Sequence, residues 1–378
     1  MTKPQLILSF LYAKCMRVVL RPLCLLPVRQ NRALFSSFRG KQYSCNPRAV
    51  SEALAGEAGG KCEIIWAFHE PERFSFLKER GIKVMRDRGL KFILTALTSR
   101  VVCTNTYYKP HLPRRKDQFY LRTWHGGGAY KRVDYPAGLM GKYIRMQQQG
   151  ADLYLSSSKA FTKLTLRDSF GYDGEVLECG MPRNDALVSG LWRERGEEVR
   201  RELGLENKKI ALYAPSYRDG GERISAPDAQ RLRSALEKRF GGGFALLYRG
   251  HHVGCDTNFV CDMDVSAYGD MQPLLMAADV LITDFSSSIW DFSLTGKPAF
   301  LYCPDLEKIG RGFYSDLRAL PFPMAESDAA LEKNIISFDE AAYTEKVKEH
   351  HETLGSCETG HAAKDAAERI LRECAIRI

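Results

Sequence analysis

The eleven cysteines include no CxxC pair, which excludes a zinc ribbon, and their scatter does not suit the disulfide framework of a small secreted domain. Cysteine used this way points to a reducing, cytosolic compartment. No apolar run approaches the ~20 residues that cross a bilayer, since the longest candidate, at the N-terminus, is broken at Lys14. There is no internal repeat of fixed period and no low-complexity tract. No helix-turn-helix, zinc-finger or RNA-binding signature is present, so nucleic acid is not expected as a partner. Paired acids suited to a divalent ion are scarce. Asp262 and Asp264, flanking Met263 in a stretch that reads as a loop, are the best candidates. His350, His351, Cys357 and His361 could be imagined as ligands, but their stretch is charged and helix-like, and a solvated surface is the expectation.

What remains is a chain of 378 residues, 44% hydrophobic and 27% charged, long enough for two ordinary domains. Lys and Arg total 55 against 46 acids, a net charge of +9, which favours anionic partners such as phosphate-bearing substrates or anionic lipid.

In the N-terminal segment, Lys14, Arg17 and Arg21 follow three- and four-residue steps and cluster on one side of a helix, while Leu8, Leu11, Cys15 and Val18 keep an apolar face. That pattern suits an amphipathic anchor lying on an anionic membrane surface. Pro22 ends or bends the helix. A signal peptide fits less well, because cations interrupt the apolar core and no small-residue cleavage site follows.

From residue 33 short β-rich runs alternate with helix-like segments, as in βα units on a parallel sheet. "ALFSSF", "CEIIWAF", "IKVM", "VVCT", "FYLRTW" and "LYLSS" read as strands of a first series. After "GMPRNDALVSG" the charged helical stretch "LWRERGEEVRRELGLENKK" reads as a linker. A second series follows, with "IALYAPSY", "FALLYRG", "VLITDFS" and "PAFLYC". The segments are therefore 1–28, 29–190, 205–340 and 341–378: the N-terminal helix, two Rossmann-like domains and C-terminal helices. Open parallel sheets bind ligands beyond the carboxyl ends of their strands, so a cleft between two such domains is where a site is expected.

Four strand ends and one loop carry polar clusters. In "LRTWHGGGAYKR" a strand ending at Trp124 delivers His125 to the sheet edge, and glycines let a substrate or a second backbone approach closely. The imidazole can take a proton from a hydroxyl, a role worth ~10² to 10⁴ in rate; a loop histidine capping backbone groups is the plainer alternative. In "ADVLITDFSSSIWDFSLTGKP" the strand Val280 to Thr283 ends in Asp284, and Ser286, Ser287 and Ser288 head the next helix. Serine hydroxyls and unpaired first-turn N–H groups would hold a phosphate, or simply cap the helix. "LLYRGHHVG" brings Arg249, His251 and His252, "KIGRGFYSD" brings Arg311, and "YAPSYRD" adds Ser216 and Arg218. Cations placed so would stabilise the charge on a departing phosphate.

Together, "LFSSFRGKQYSCNPRAV", "TWHGGGAYKR", "GMPRND", "LYAPSYRD", "DVSAYGDMQPLLMAADVLITDFSSSIWDFSLTGKP" and "GRGFYSD" resemble the CDP-glycerol glycerophosphotransferases, which include wall teichoic acid primases and polymerases. The resemblance runs in order over about residues 28 to 320. It implies a GT-B fold, peripheral attachment to the cytoplasmic face of a bacterial membrane, and transfer of glycerol phosphate from CDP-glycerol to a hydroxyl of a polyprenyl-diphosphate-linked saccharide, releasing CMP. By position, His125 is implied as general base and His251 as the histidine near the donor diphosphate. Thr283, Ser286, Ser287 and Arg311 fall on donor phosphate contacts and Asp291 near the ribose. Ser216, Arg218, Arg249 and Asp284 complete the donor side, and Gly126, Gly127 and Lys131 the acceptor loop. The resemblance implies no metal and no cofactor. One departure is plain: many members read histidine, glycine, threonine, proline, leucine and lysine at the first motif, whereas this chain has Gly127, Gly128, Ala129 and Tyr130 before Lys131.

Rival readings remain. CDP-ribitol would serve the same chemistry, a GT-B glycosyltransferase would use a nucleotide sugar, and an anionic-lipid-binding protein would need the charge alone.

Overall fold

The computed structural model describes residues 3–106, 109–133, 135, 138–216, 225–250, 257–308 and 312–376. Thirteen strands occur among them. The first seven are β1 (Arg29–Ser36), β2 (Glu63–Phe68), β3 (Lys83–Arg86), β4 (Ser99–Thr104), β5 (Phe119–Arg122), β6 (Leu153–Leu155) and β7 (Glu175–Leu177). The other six are β8 (Lys209–Ala214), β9 (Phe244–Tyr248), β10 (Met263–Asp264), β11 (Val280–Thr283), β12 (Ala299–Tyr302) and β13 (Met324–Ala325).

They form two sheets, ordered β3-β2-β1-β4-β5-β6-β7 and β10-β9-β8-β11-β12-β13, and every pairing is parallel. Both are doubly wound, reversing direction between β1 and β4 and between β8 and β11, and both are buried on their two faces, as their apolar runs require. Phe35, Trp66, Phe68 and Leu121 lie in the first core; Ile210, Leu246, Ile282 and Phe300 lie in the second. Two Rossmann-like domains with a cleft between them make a GT-B fold.

Three edge or near-edge strands are too short for the sequence pattern to reveal: β7, β10 and β13. Asp264, read as loop, is in β10. The segment read as a linker is the helix Trp192–Leu203, packed on the second domain, where Arg200 donates to the Ala277 carbonyl at 2.7 Å and Gly196 admits the Met276 carbonyl. Helix Glu340–Thr353 sets Tyr343 and Val347 into the second core, and helix Ala362–Glu373 returns to set Ala366, Ile370 and Leu371 into the first.

The N-terminal helix Lys3–Val19 turns Ala13 and Met16 toward the protein and leaves Leu8, Leu11, Cys15 and Val18 exposed. Arg17 donates to the Pro110 carbonyl at 2.7 Å, while Lys14 and Arg21 are exposed. Among the described residues, no helix is long and apolar enough to cross a membrane.

Candidate functional site

Beyond β5 the chain turns sharply, with Trp124 in the left-handed region at φ 54°. The Asn46 amide holds the turn by donating to the carbonyls of Thr123 (3.1 Å) and Trp124 (3.0 Å). His125 follows, between the rings of Phe38 and Trp124, and its Nδ1 lies 2.9 Å from the Asn105 carbonyl. A carbonyl only accepts, so Nδ1 carries the proton and Nε2 is the basic nitrogen of the neutral ring.

The glycines meet the second domain. A Cβ on Gly126 would lie 3.4 Å from Ser287 Oγ, and one on Gly127 would lie 2.6 Å from the Trp290 ring. What approaches the loop is therefore the side chains of the serine-headed helix, Ser287 and Trp290. Tyr130 crosses over entirely: it is buried in the second core, and its hydroxyl lies 2.9 Å from His350 Nε2. Lys131 pairs antiparallel with Phe313 and sets its ammonium over the Phe285 ring, 4.7 Å from the centroid.

A cavity of about 170 Å³ opens where the domains meet, lined by His125 from the first and Arg249, Ser286, Ser287 and Ser288 from the second. Arg249 is steadied by the Tyr268 carbonyl at 2.8 Å, and burial pulls its pKa below the usual guanidinium value. The Ser286 hydroxyl accepts from the backbone N–H and hydroxyl of Ser288. Helix Ser288–Ser293 is only six residues long, so hydroxyl and backbone donors at its start matter more than its dipole.

Three donor-side residues are arranged otherwise than expected. The Thr283 hydroxyl is fully buried and donates to the Ala214 carbonyl at 2.7 Å. Asp284, also buried, accepts from the N–H and hydroxyl of Ser216, tying the ends of β8 and β11 together at the switch point. The Asp291 carboxylate borders the cavity but takes four donors: two from Arg183 and one each from Asn184 and Gln272. With both oxygens engaged it joins the two domains at the edge of the cavity. His251, Arg218 and Arg311 lie outside the described residues.

Arg183, Asn184 and Glu358 form a cluster for which the motif "GMPRND" signals only the first two residues. Glu358 accepts from Trp290 Nε1, the Asn184 amide and the Met181 N–H, and burial pushes its pKa up to about 7 against those donors. His350 and His351 are not the solvated pair expected. They are largely buried against Tyr130 and Trp290, and desolvation lowers both to about 4, keeping them neutral. Asp262 is held by Arg233 (2.8 Å) and the Leu246 N–H (2.6 Å). No group of three metal-ligating side chains occurs among the described residues.

Residues 19–372 match the model of the CDP-glycerol:poly(glycerophosphate) glycerophosphotransferase family. The chain belongs to this family. As a glycerophosphotransferase it is similar to the teichoic acid poly(glycerol phosphate) polymerase of Bacillus spizizenii, 26% identical over 94% of this chain and 95% of that one. It is also similar to the teichoic acid ribitol-phosphate primase of the same organism, 27% identical over 92% of each. In two longer poly(glycerol phosphate) polymerases the match spans 43% and 51% of their length. A solved structure of the wall teichoic acid polymerase TagF covers 99% of both chains at 25% identity, with a TM-score of 0.78. The matched region of this glycerophosphotransferase takes in both sheets and nearly all of the helix Ala362–Glu373 that returns to the first domain.

Proposed function

We propose that this glycerophosphotransferase moves glycerol phosphate from CDP-glycerol to a hydroxyl of a polyprenyl-diphosphate-linked saccharide, releasing CMP, in teichoic acid or related cell-surface polymer synthesis. His125 Nε2 takes the proton from the acceptor hydroxyl. The oxygen attacks the glycerol-bearing β-phosphorus, the P–O bond to CMP breaks, and Arg249 with the donors of Ser286 and Ser287 stabilises the charge that gathers on the departing phosphate. His251, Arg218 and Arg311 are assigned to the same donor side from the sequence. Ser216 and Asp284 act by holding the strand ends, and Gly126 and Gly127 by admitting Ser287 and Trp290 to the acceptor loop.

The observation that carries this reading is that His125 and the three serines border one cavity from opposite domains. The exposed Leu8, Leu11, Cys15 and Val18, beside Lys14 and Arg21, support attachment of the N-terminal helix to the cytoplasmic face of an anionic membrane. The relation to a ribitol-phosphate primase keeps CDP-ribitol as a second donor to be tested.

Incubation with CDP-glycerol or CDP-ribitol and a short-chain lipid disaccharide, followed by product masses, tests the reading. A gain of one glycerol-phosphate mass with equimolar CMP is expected; release of a nucleoside diphosphate, or no product from either donor, would overturn it.

A further inference from the structure

A second cavity, about 330 Å³, lies in the first domain at the switch point between β1 and β4, away from the serine-headed helix. Its walls are mostly apolar, including Leu34, Ala67, Phe92, Val102 and Pro110. One end is charged: Asp87 is buried between the His69 ring and the Lys109 ammonium, each at 2.6 Å, and Arg39 stands beside them. The charged side chains at that end are Arg39, Lys109 and Asp87.

Three further observations point to a ligand. The Thr106 hydroxyl on the cavity wall is buried and has no hydrogen-bond partner, an uncommon condition for a buried polar group. Phe38 and Arg39 hold consecutive left-handed conformations, φ 44° and 59°, which cost energy in non-glycine residues and tend to occur at ligand clamps. The cavity also adjoins the first site. Arg39 follows Phe38, whose ring packs on His125, while Thr104 and Thr106 flank Asn105, whose carbonyl orients that imidazole. On the other side Leu34, Ala67 and Phe92 belong to one apolar cluster with Met16, Leu20 and Leu23 of the N-terminal segment.

We infer that this cavity binds the phosphate-bearing end of a prenyl or alkyl lipid, with the phosphate at Arg39 and Lys109 and the first carbons of the chain in the apolar slot. A cavity of ~150 Å³ accepts benzene, so this one has room for a chain of roughly ten carbons. The inference rests on the acceptor reading above and sharpens it. Lipid phosphate and attacking hydroxyl must occupy adjoining sites together, so only acceptors with a short saccharide spacer gain from both. The first addition is thereby favoured over later ones.

The probe is dodecyl phosphate, used below its micelle concentration in assays of the full chain with CDP-glycerol. It is expected to raise KM for the lipid disaccharide at least threefold, to leave KM for CDP-glycerol unchanged, and to leave transfer to a water-soluble acceptor of the same saccharide untouched. Neutral dodecyl maltoside is expected to compete at least tenfold more weakly. Ala67→Phe, which fills the slot, should abolish the competition and bring lipid-linked and soluble acceptors to within a factor of two. Should Ala67→Phe not fold, Arg39→Gln, at the exposed mouth, should weaken competition several-fold. Competition that survives both variants, or that is equal for the neutral detergent, overturns the inference while soluble-acceptor transfer still supports the parent reading. Loss of CDP-glycerol turnover on every acceptor would instead count against that reading.

Discussion

Arg183 of the first domain grips Asp291 of the second through two parallel N–H···O bonds, Nε at 2.9 Å and Nη2 at 3.0 Å, both residues being buried. Asn184 and Gln272 occupy the remaining acceptor positions of the carboxylate. A fork held this fully sets the spacing of the cleft as well as its stability.

Removing one partner leaves the other charge buried and alone. Arg183→Ala is expected to cost ~3–5 kcal/mol, read as a large fall in Tm, and to lower turnover by misplacing the domains. The double variant Arg183→Met/Asp291→Leu should recover most of the stability and little of the activity. Equal stability of wild type and Arg183→Ala would contradict the assignment.

Gly127 is where the loop and the helix come closest. A methyl there would meet the Trp290 ring at 2.6 Å, and that ring is fixed by its bond to Glu358. Gly127→Ala should lose ~1–3 kcal/mol and reduce kcat more than it raises KM for CDP-glycerol. Thermal melts and steady-state kinetics check this; an unperturbed kcat would show that the approach has no bearing on the site.

Glu358 titrates at about 7 in the folded chain, against ~4.3 when unfolded. The sign follows from linkage: a raised carboxyl pKa gives stability that is full below the unfolded value and is lost as pH rises through the folded value. Stability should therefore decline between about pH 4 and pH 7 through this group. In Glu358→Gln that decline should flatten, with the variant more stable relative to wild type at pH 8 than at pH 5. Denaturant melts across this range test it, and identical pH profiles would refute it.

Tyr130, at the end of the glycine loop, serves as an anchor in the second core. Tyr130→Phe removes only the bond to His350 and should cost ~0.5–1.5 kcal/mol. Tyr130→Ala empties a core position and should cost ~3–5 kcal/mol, as for other buried aromatics. Calorimetry separates the two; equal small losses would mean that the ring does not anchor the loop.

Both sheets were readable because their central strands are unbroken apolar runs ended by turn residues, such as "CEIIWAF" and "VLIT". The two- and three-residue strands β7, β10 and β13 exist through pairing with a neighbour and leave no periodic trace. His125, Arg249 and the serines stood out because each follows a strand. Asp291 could be found but not interpreted, since its partners Arg183 and Gln272 are distant in sequence. Glu358 was invisible for the same reason: its environment is assembled from residues 181, 184 and 290. The histidine pair at 350 and 351 misled because a charged helix conceals which face is covered, and Tyr130 and Trp290 cover it.

The central claim is that the imidazole at the mouth of the first domain removes the acceptor proton. Its most direct measurement is CMP release from CDP-glycerol by His125→Ala, with lipid acceptor present and the fold checked by an unchanged Tm. The account predicts a fall in turnover of ~10² to 10⁴ with KM for CDP-glycerol retained; turnover within twofold of the wild-type chain would contradict it.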